Sequence, residues 1–127
     1  MDAIEHYCMR NPNSLKIMSH ALDLACFTYE VTRVFPREER FGLTSQMRRC
    51  SVSVGSNIAE GCGRWTDPQL LHFLEMSCGS TSELEFQARL AQQLGFGETR
   101  LLLRLEELAG EQRRMNVGFA NWVRRSS

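Results

Sequence analysis

The side chains best suited to chemistry in this sequence are arginines, which supply 14 of its 15 basic residues. A guanidinium group offers a planar fork of N–H donors that matches the oxygens of phosphates and carboxylates. Gathered on one face, such groups could hold nucleic-acid phosphates or a partner protein. The alternative is pairing with nearby acids such as Glu111, which lies within helical reach of Arg114. The candidates stand in pairs or at a predicted helix end: Arg48, Arg49, Arg64, Arg113, Arg114, Arg124 and Arg125.

A second group of candidates is polar and has helical spacing. Asn57 and Glu60 are three residues apart, and so are Ser80 and Glu83. Residues three apart share a helix face, so the two sets could meet between antiparallel helices. They could form a functional site or a buried network that fixes the register of the helices. We expect the second, a structural polar network.

Metal-binding and catalytic patterns are weak. A di-iron bundle needs Glu-x-x-His on two helices, whereas the nearest patterns here, His72-x-x-Glu75 and His20-x-x-Asp23, have the reverse order. Nucleophilic catalysis needs a base next to the nucleophile, and none of the three histidines stands in such a motif. We therefore predict no catalytic residue, no metal, no cofactor and no enzymatic activity.

Apolar residues recur at steps of three and four along four segments, which predicts four helices. Their predicted bounds are about 12–34, 43–63, 68–94 and 98–124. Asn-Pro at 11–12 and Asp-Pro at 67–68 are typical helix starts. Pro36 ends the first helix, and Gly95 is expected to cap the third in a left-handed conformation. Short links between long helices predict an all-α, antiparallel, up-down-up-down four-helix bundle.

The first predicted helix carries two adjacent apolar stripes. One stripe contains Leu15, Met18, Leu22, Ala25, Tyr29 and Thr32. The other contains Ile17, Ala21, Leu24, Thr28, Val31 and Phe35. Since a four-helix bundle has no use for so wide an apolar face, we expect the surplus to be buried between chains of a homo-oligomer.

Length and composition set the remaining bounds. With 127 residues and 43% apolar content the chain suits one domain, 1–127, whose first ten residues we expect to be poorly ordered. Its net charge of zero argues against coating nucleic acid by bulk charge. Five cysteines without a CxxC pair are typical of reduced thiols and a cytoplasmic protein. We expect no secretory signal and no membrane span.

Three blocks of sequence resemble a known family. The first block is Phe35-Pro36 with Glu39, and the second runs from Phe41-Gly42-Leu43 through Gln46 to Arg48-Arg49. The third block is Ser53-Val54, Asn57 to Gly61 and Gly63-Arg64. The predicted third helix adds further matches: Phe73-Leu74, Gly79-Ser80, Glu83-Leu84-Glu85 and Leu94-Gly95-Phe96. Together they are similar to the bacterial four-helix-bundle family of 23S ribosomal RNA intervening-sequence proteins, over about residues 14–122. Cys50 stands where the family usually has Ala, and Gly55 where Pro is common.

The resemblance implies a ring-forming homo-oligomer, commonly a pentamer, with no defined enzymatic activity. A related branch, the accessory proteins of diversity-generating retroelements, binds a reverse transcriptase and nucleic acid, and its members are strongly basic. For this neutral chain we expect a non-enzymatic oligomer that binds RNA or an RNA-handling protein. The alternative is a protein-interaction scaffold of the reverse-transcriptase accessory type that makes no contact with nucleic acid.

Overall fold

The computed structural model describes residues 14–126, and within them the chain forms four α-helices and no strand. The helices are α1 (Ser14–Thr32), α2 (Leu43–Cys62), α3 (Asp67–Leu94) and α4 (Thr99–Ser126), with one 3-10 turn at Arg37–Glu39. The all-α prediction is confirmed, and the helix bounds that fall on described residues agree with the predicted ones to within about two residues. The predicted helix start at 11–12 lies outside the described residues. Our expectation for residues 1–10 lies outside the described residues, and the single-domain assignment stays a prediction.

Local sequence explains where α3 begins and ends. Thr66 is the N-terminal cap, and its hydroxyl accepts a 3.4 Å hydrogen bond from the Gln69 amide, with Pro68 in the first turn. At the other end Gly95 has φ +73°, and the next amide, of Phe96, donates to the Ala91 carbonyl at 2.9 Å. This left-handed cap is the one predicted, because only glycine adopts that conformation without strain.

The two links at one end of the bundle pack on each other. Phe35, just after α1, lies against Phe96, between α3 and α4, with ring centroids 5.8 Å apart. A Cβ on Gly97 would lie 2.8 Å from the Phe35 ring, and Gly97 has φ +68°. The close approach and the positive φ both require glycine here.

The core lies between all four helices. Each helix packs on its neighbours in the chain, and α1 also packs on α4, which closes the antiparallel bundle. Of the two stripes on α1, the second supplies the core, since Ile17, Ala21, Leu24 and Val31 are buried. None of the four helices has both the length and the apolar character required to cross a bilayer.

Candidate functional site

One side of α1 and α2 presents an apolar face that the bundle leaves open. We define this apolar face by Leu15, Leu22 and Tyr29 of α1 and Val52 of α2, whose exposed fractions are 54%, 66%, 44% and 43%. Between the two helices runs a groove of about 300 Å³ with almost wholly apolar walls. Small side chains form much of it, and the lining residues include Ala25, Ser51, Gly55, Ser56 and Ala59.

A buried polar network crosses the bundle. Asn116 of α4 donates from Nδ2 to Ser77 Oγ of α3 at 2.9 Å, and Ser77 donates to the Val54 carbonyl of α2 at 2.8 Å. Gln112, one turn before Asn116, donates from Nε2 to Asn116 Oδ1 at 3.0 Å and to the Ile17 carbonyl of α1 at 3.3 Å. Because Ser77, Gln112 and Asn116 are fully buried, each bond replaces contacts with water that these groups have lost.

His20 of α1 ends the network at the surface. Since Gln112 uses Nε2 to donate to the Ile17 carbonyl, its Oε1 faces His20 and accepts from Nδ1–H at 2.6 Å. The other ring nitrogen, Nε2, lies 3.2 Å from Glu111 Oε2. Through these two contacts His20 joins α1 to α4.

Of the four residues predicted to form a structural polar network, the structure joins two, Asn57 and Ser80, in one hydrogen-bonded group. Asn57 donates to the carbonyl and hydroxyl of Ser53 at 2.9 and 3.0 Å, and the Ser53 hydroxyl lies 3.0 Å from that of Ser80. Asn57 and Ser80 are therefore joined across α2 and α3 through Ser53, which sequence reasoning missed. Glu60 lies apart from them, exposed and paired with Arg64.

Glu83 meets a different neighbour, Cys50. The Cys50 thiol donates to the Ser80 carbonyl at 3.1 Å and lies 3.6 Å from Glu83 Oε2. Burial, with the Glu83 carboxylate beside it, raises the pKa of the Cys50 thiol to about 12. The thiol therefore stays protonated, and it acts as a hydrogen-bond donor between α2 and α3 rather than as a nucleophile.

This raised pKa predicts a loss of stability at high pH. An unfolded chain releases the thiol proton near 9.0 whereas the folded chain holds it to about 12, so rising pH in this window favours unfolding. We expect the unfolding free energy of Cys50→Ala, measured by urea titration, to fall by roughly 1 kcal/mol less per pH unit than that of the unaltered protein. Cys26→Ala, which alters an exposed thiol, should keep the original slope, and equal slopes for both variants would contradict the assignment.

Four of the seven candidate arginines have partners within the chain. Arg48 donates to Thr32 Oγ1 at 2.9 Å and stacks on the Tyr29 ring with its guanidinium carbon 4.7 Å from the centroid. Arg64 donates to Glu60 at 2.6 Å and lies over the Phe73 ring. The Arg48 guanidinium thus joins α2 to α1, and the Arg64 guanidinium covers the ring of Phe73.

The other two paired arginines lie on α4. Arg113 forms an ion pair with Glu85 of α3, and Arg124 donates to Asn121 at 3.0 Å. The Arg113 ion pair agrees with the alternative that these arginines pair with nearby acids, although its partner lies on another helix. Arg113 and Arg124, like Arg48 and Arg64, therefore have a partner within the protomer.

Three candidate arginines form no hydrogen bond or ion pair within residues 14–126. They are Arg49 between α2 and α3, Arg114 beside the α3–α4 groove, and Arg125 near the end of α4. Because they line three different cavities, these three arginines form no continuous basic surface within the described part of the chain. Binding of RNA by these arginines stays a prediction.

Arg49 lines a polar cavity between α2 and α3. We call it the α2–α3 notch and define it by Gln46, Arg49 and Cys50 of α2 and Glu83 and Gln87 of α3. It has a volume of about 330 Å³. Gln87 is only 5% exposed, and its Oε1 has no hydrogen-bond partner. The notch therefore combines a free cation, a carboxylate and an unsatisfied amide oxygen.

The histidine-acid pairs considered for metal binding are not gathered into a site. His72 and Glu75 are exposed on α3, and the His72 ring packs edge-on against Phe73. Across residues 14–126, no group of three or more His, Cys, Asp or Glu side chains is placed to hold a metal ion.

Comparisons with known proteins agree with the fold. A family profile described as 23S rRNA-intervening sequence protein matches residues 13–118. A crystal structure of a protein with unknown function from the S23 ribosomal protein family of Bacteroides thetaiotaomicron VPI-5482 superposes with a TM-score of 0.76. It shares 15% identity, and the match covers 83% of this chain and 95% of the other. A search of curated proteins found no match.

Proposed function

The chain belongs to the 23S rRNA-intervening sequence protein family, and on that premise we propose that it is a non-enzymatic homo-oligomeric scaffold. The observation that carries this proposal is the apolar face. The bundle buries one stripe of α1 and leaves Leu15, Leu22 and Tyr29 of the other exposed, with Leu22 at 66%. Exposed apolar side chains that form a continuous patch mark an interaction surface.

The spacing of the exposed stripe suggests what covers it. Leu15, Leu22 and Tyr29 are seven residues apart, with Met18 and Ala25 between them at the alternate steps. This is the a/d pattern of a coiled-coil seam, in which each side chain packs between residues of a facing helix. The occupant that fits is therefore another helix.

A second copy of the chain can supply that helix. The apolar face carries projecting side chains, Leu22 and Val52, beside a groove lined by Gly55 and Ala59, so it offers both ridge and recess. Contacts between copies are not opposed by overall charge, since the net charge is zero. If the projecting side chains of one copy enter the groove of the next, the contact is head-to-tail, and such a contact forms a ring when its rotation closes. The family resemblance implies a ring of five copies.

A charge placed on the apolar face should break the oligomer. We expect Val52→Glu to convert the assembly to monomers, with at least a tenfold weaker association, because a carboxylate would be buried against apolar side chains. Sedimentation velocity at micromolar concentrations measures the change.

The chain offers a matched control for this variant. Val117 of α4 is 45% exposed, against 43% for Val52, but lies away from the apolar face. Val117→Glu makes the same chemical change and should leave the oligomer intact. If the unaltered protein sediments as a monomer, or if the two variants behave alike, the proposed interface is wrong.

A further inference from the structure

The α2–α3 notch contains hydrogen-bonding groups that the fold does not use. Gln87 is 5% exposed, and its Oε1 is enclosed without a partner, an arrangement that costs about 1–3 kcal/mol if nothing satisfies it. The χ3 torsion of glutamine, about the Cγ–Cδ bond, has broad wells, so this oxygen can turn to meet a donor in the notch. One turn earlier on α3, Glu83 accepts only from the Cys50 thiol among residues 14–126.

The other wall of the notch supplies donors. Arg49 lines it without forming an ion pair with Glu83, and neither Arg49 nor Gln46 bonds to another side chain of the described residues. A ligand that separates these charges must therefore present donors to Glu83 and Gln87, and acceptors to Arg49. The Cys50 thiol, held protonated below them, adds no charge to the floor.

Guanine carries this pattern of groups on adjoining edges. Its Watson–Crick edge holds three N–H donors, at N1 and N2, which match the two Glu83 oxygens and Gln87 Oε1. Its O6 and N7 are the acceptors that an arginine takes with two hydrogen bonds. Adenine and cytosine each offer two exocyclic N–H donors, and uracil offers one, so each leaves an oxygen of the notch unpaired.

We propose that the α2–α3 notch binds a guanine base, with Glu83 and Gln87 accepting from its N1 and N2 and Arg49 donating to its O6 and N7. The volume of about 330 Å³ lies within the range of small-ligand sites. The base could come from a free guanine nucleotide or from a single-stranded RNA. This binding is independent of the self-association proposed above.

The test compares bases in one strand context. Labelled uridine heptamers with a central guanosine, adenosine or inosine are titrated with the full-length protein, and fluorescence anisotropy gives the Kd. We expect guanosine to bind about tenfold more tightly than adenosine, with inosine weaker than guanosine because it lacks the N2 donors. A parallel titration with guanosine monophosphate separates the sources. Binding of the mononucleotide indicates a nucleotide site, and binding of the heptamer alone indicates a strand.

Two pairs of variants localise the effect. Glu83→Gln and Arg49→Gln should each remove the preference for guanosine, whereas Glu107→Gln and Arg100→Gln, which make the same changes at exposed positions outside the notch, should keep it. Circular dichroism checks that each variant folds. Equal affinity for guanosine and adenosine, or an unchanged preference in Glu83→Gln, overturns the proposal. So does a Glu83→Gln variant that changes only the oligomer mass, because the notch would then hold a side chain of a second copy.

Discussion

Replacing Gln112 by alanine is expected to lower the free energy of unfolding by about 3–5 kcal/mol, which is a large share of the stability of a domain this size. Gln112 is fully buried, and its amide bonds to the Ile17 carbonyl, to Asn116 and to His20. Alanine removes all three contacts. It also leaves a cavity in the core, which the surrounding helices cannot fill. Urea denaturation at one fixed protein concentration measures the loss, because self-association also contributes to apparent stability.

Two further substitutions separate the hydrogen bonds from the packing. Gln112→Leu keeps most of the side-chain volume but leaves the Ile17 carbonyl, Asn116 and His20 without their hydrogen-bond partner. We therefore expect it to lower the free energy of unfolding by about 2 kcal/mol. Gln93→Ala truncates an exposed glutamine of α3 and should change stability by no more than about 0.5 kcal/mol. If Gln112→Ala costs no more than Gln93→Ala, the buried polar network does not stabilise the fold.

A methyl group at Gly61 is the second change with a large expected effect. A Cβ there would lie 2.9 Å from Phe73 Cβ and 3.3 Å from the Leu70 carbonyl oxygen, both on α3. These atoms belong to the backbone or its first side-chain carbon, so they move only if α3 moves. We expect Gly61→Ala to lower the free energy of unfolding by about 1–3 kcal/mol, although alanine favours helix over glycine.

Gly79 provides the opposite result within the neighbouring helix. A Cβ on Gly79 would meet nothing within 4 Å, so Gly79→Ala should raise stability by about 0.5–1 kcal/mol through helix propensity alone. Thermal or urea unfolding of both variants gives the comparison. Destabilisation by both substitutions, or by neither, would mean that contact with α3 does not determine the need for glycine at position 61.

The helices were predictable because their signals are local. Three-and-four spacing located α1 to α4, and Gly95 marked the end of α3 through a backbone conformation that few other residues adopt. The pairing of these helices into an antiparallel bundle followed from the shortness of the links. The start of α3 was misplaced by one residue, because Thr66 caps the helix and Asp67 is already within it.

The polar contacts were harder to predict, since they depend on distances between helices. Gln112 and Ser77 occupy positions in the apolar rhythm of their helices, and a polar residue at such a position signals a buried hydrogen bond. The sequence does not state the partner of that bond, so the contact between Gln112 and His20 was not predicted. Glu60 follows Asn57 by three residues, and Glu83 follows Ser80 by three residues, so the sequence does not distinguish the two possible contacts between α2 and α3. The rotation of α2 relative to α3 decides that Asn57 and Ser80 are joined, whereas Glu60 and Glu83 are not.

The sequence also did not predict which of the two apolar stripes of α1 faces the core. Both stripes have helical periodicity, and nothing in their composition says which faces the core. The structure buries the stripe with Leu24 and exposes Leu15, Leu22 and Tyr29 of the other, because α1 contacts α2 and α4 along one side. That choice separates the surface that stabilises one protomer from the surface proposed to join several.

The buried polar network has a consequence for how the bundle opens. Its hydrogen bonds run from His20 on α1 through Gln112 and Asn116 on α4 to Ser77 on α3 and the Val54 carbonyl on α2. Detaching any one helix would break at least one of these bonds and leave its buried partner in another helix unpaired. Partial opening is therefore costly for every helix, and the four helices should exchange their amide protons as one cooperative unit rather than as separate hairpins.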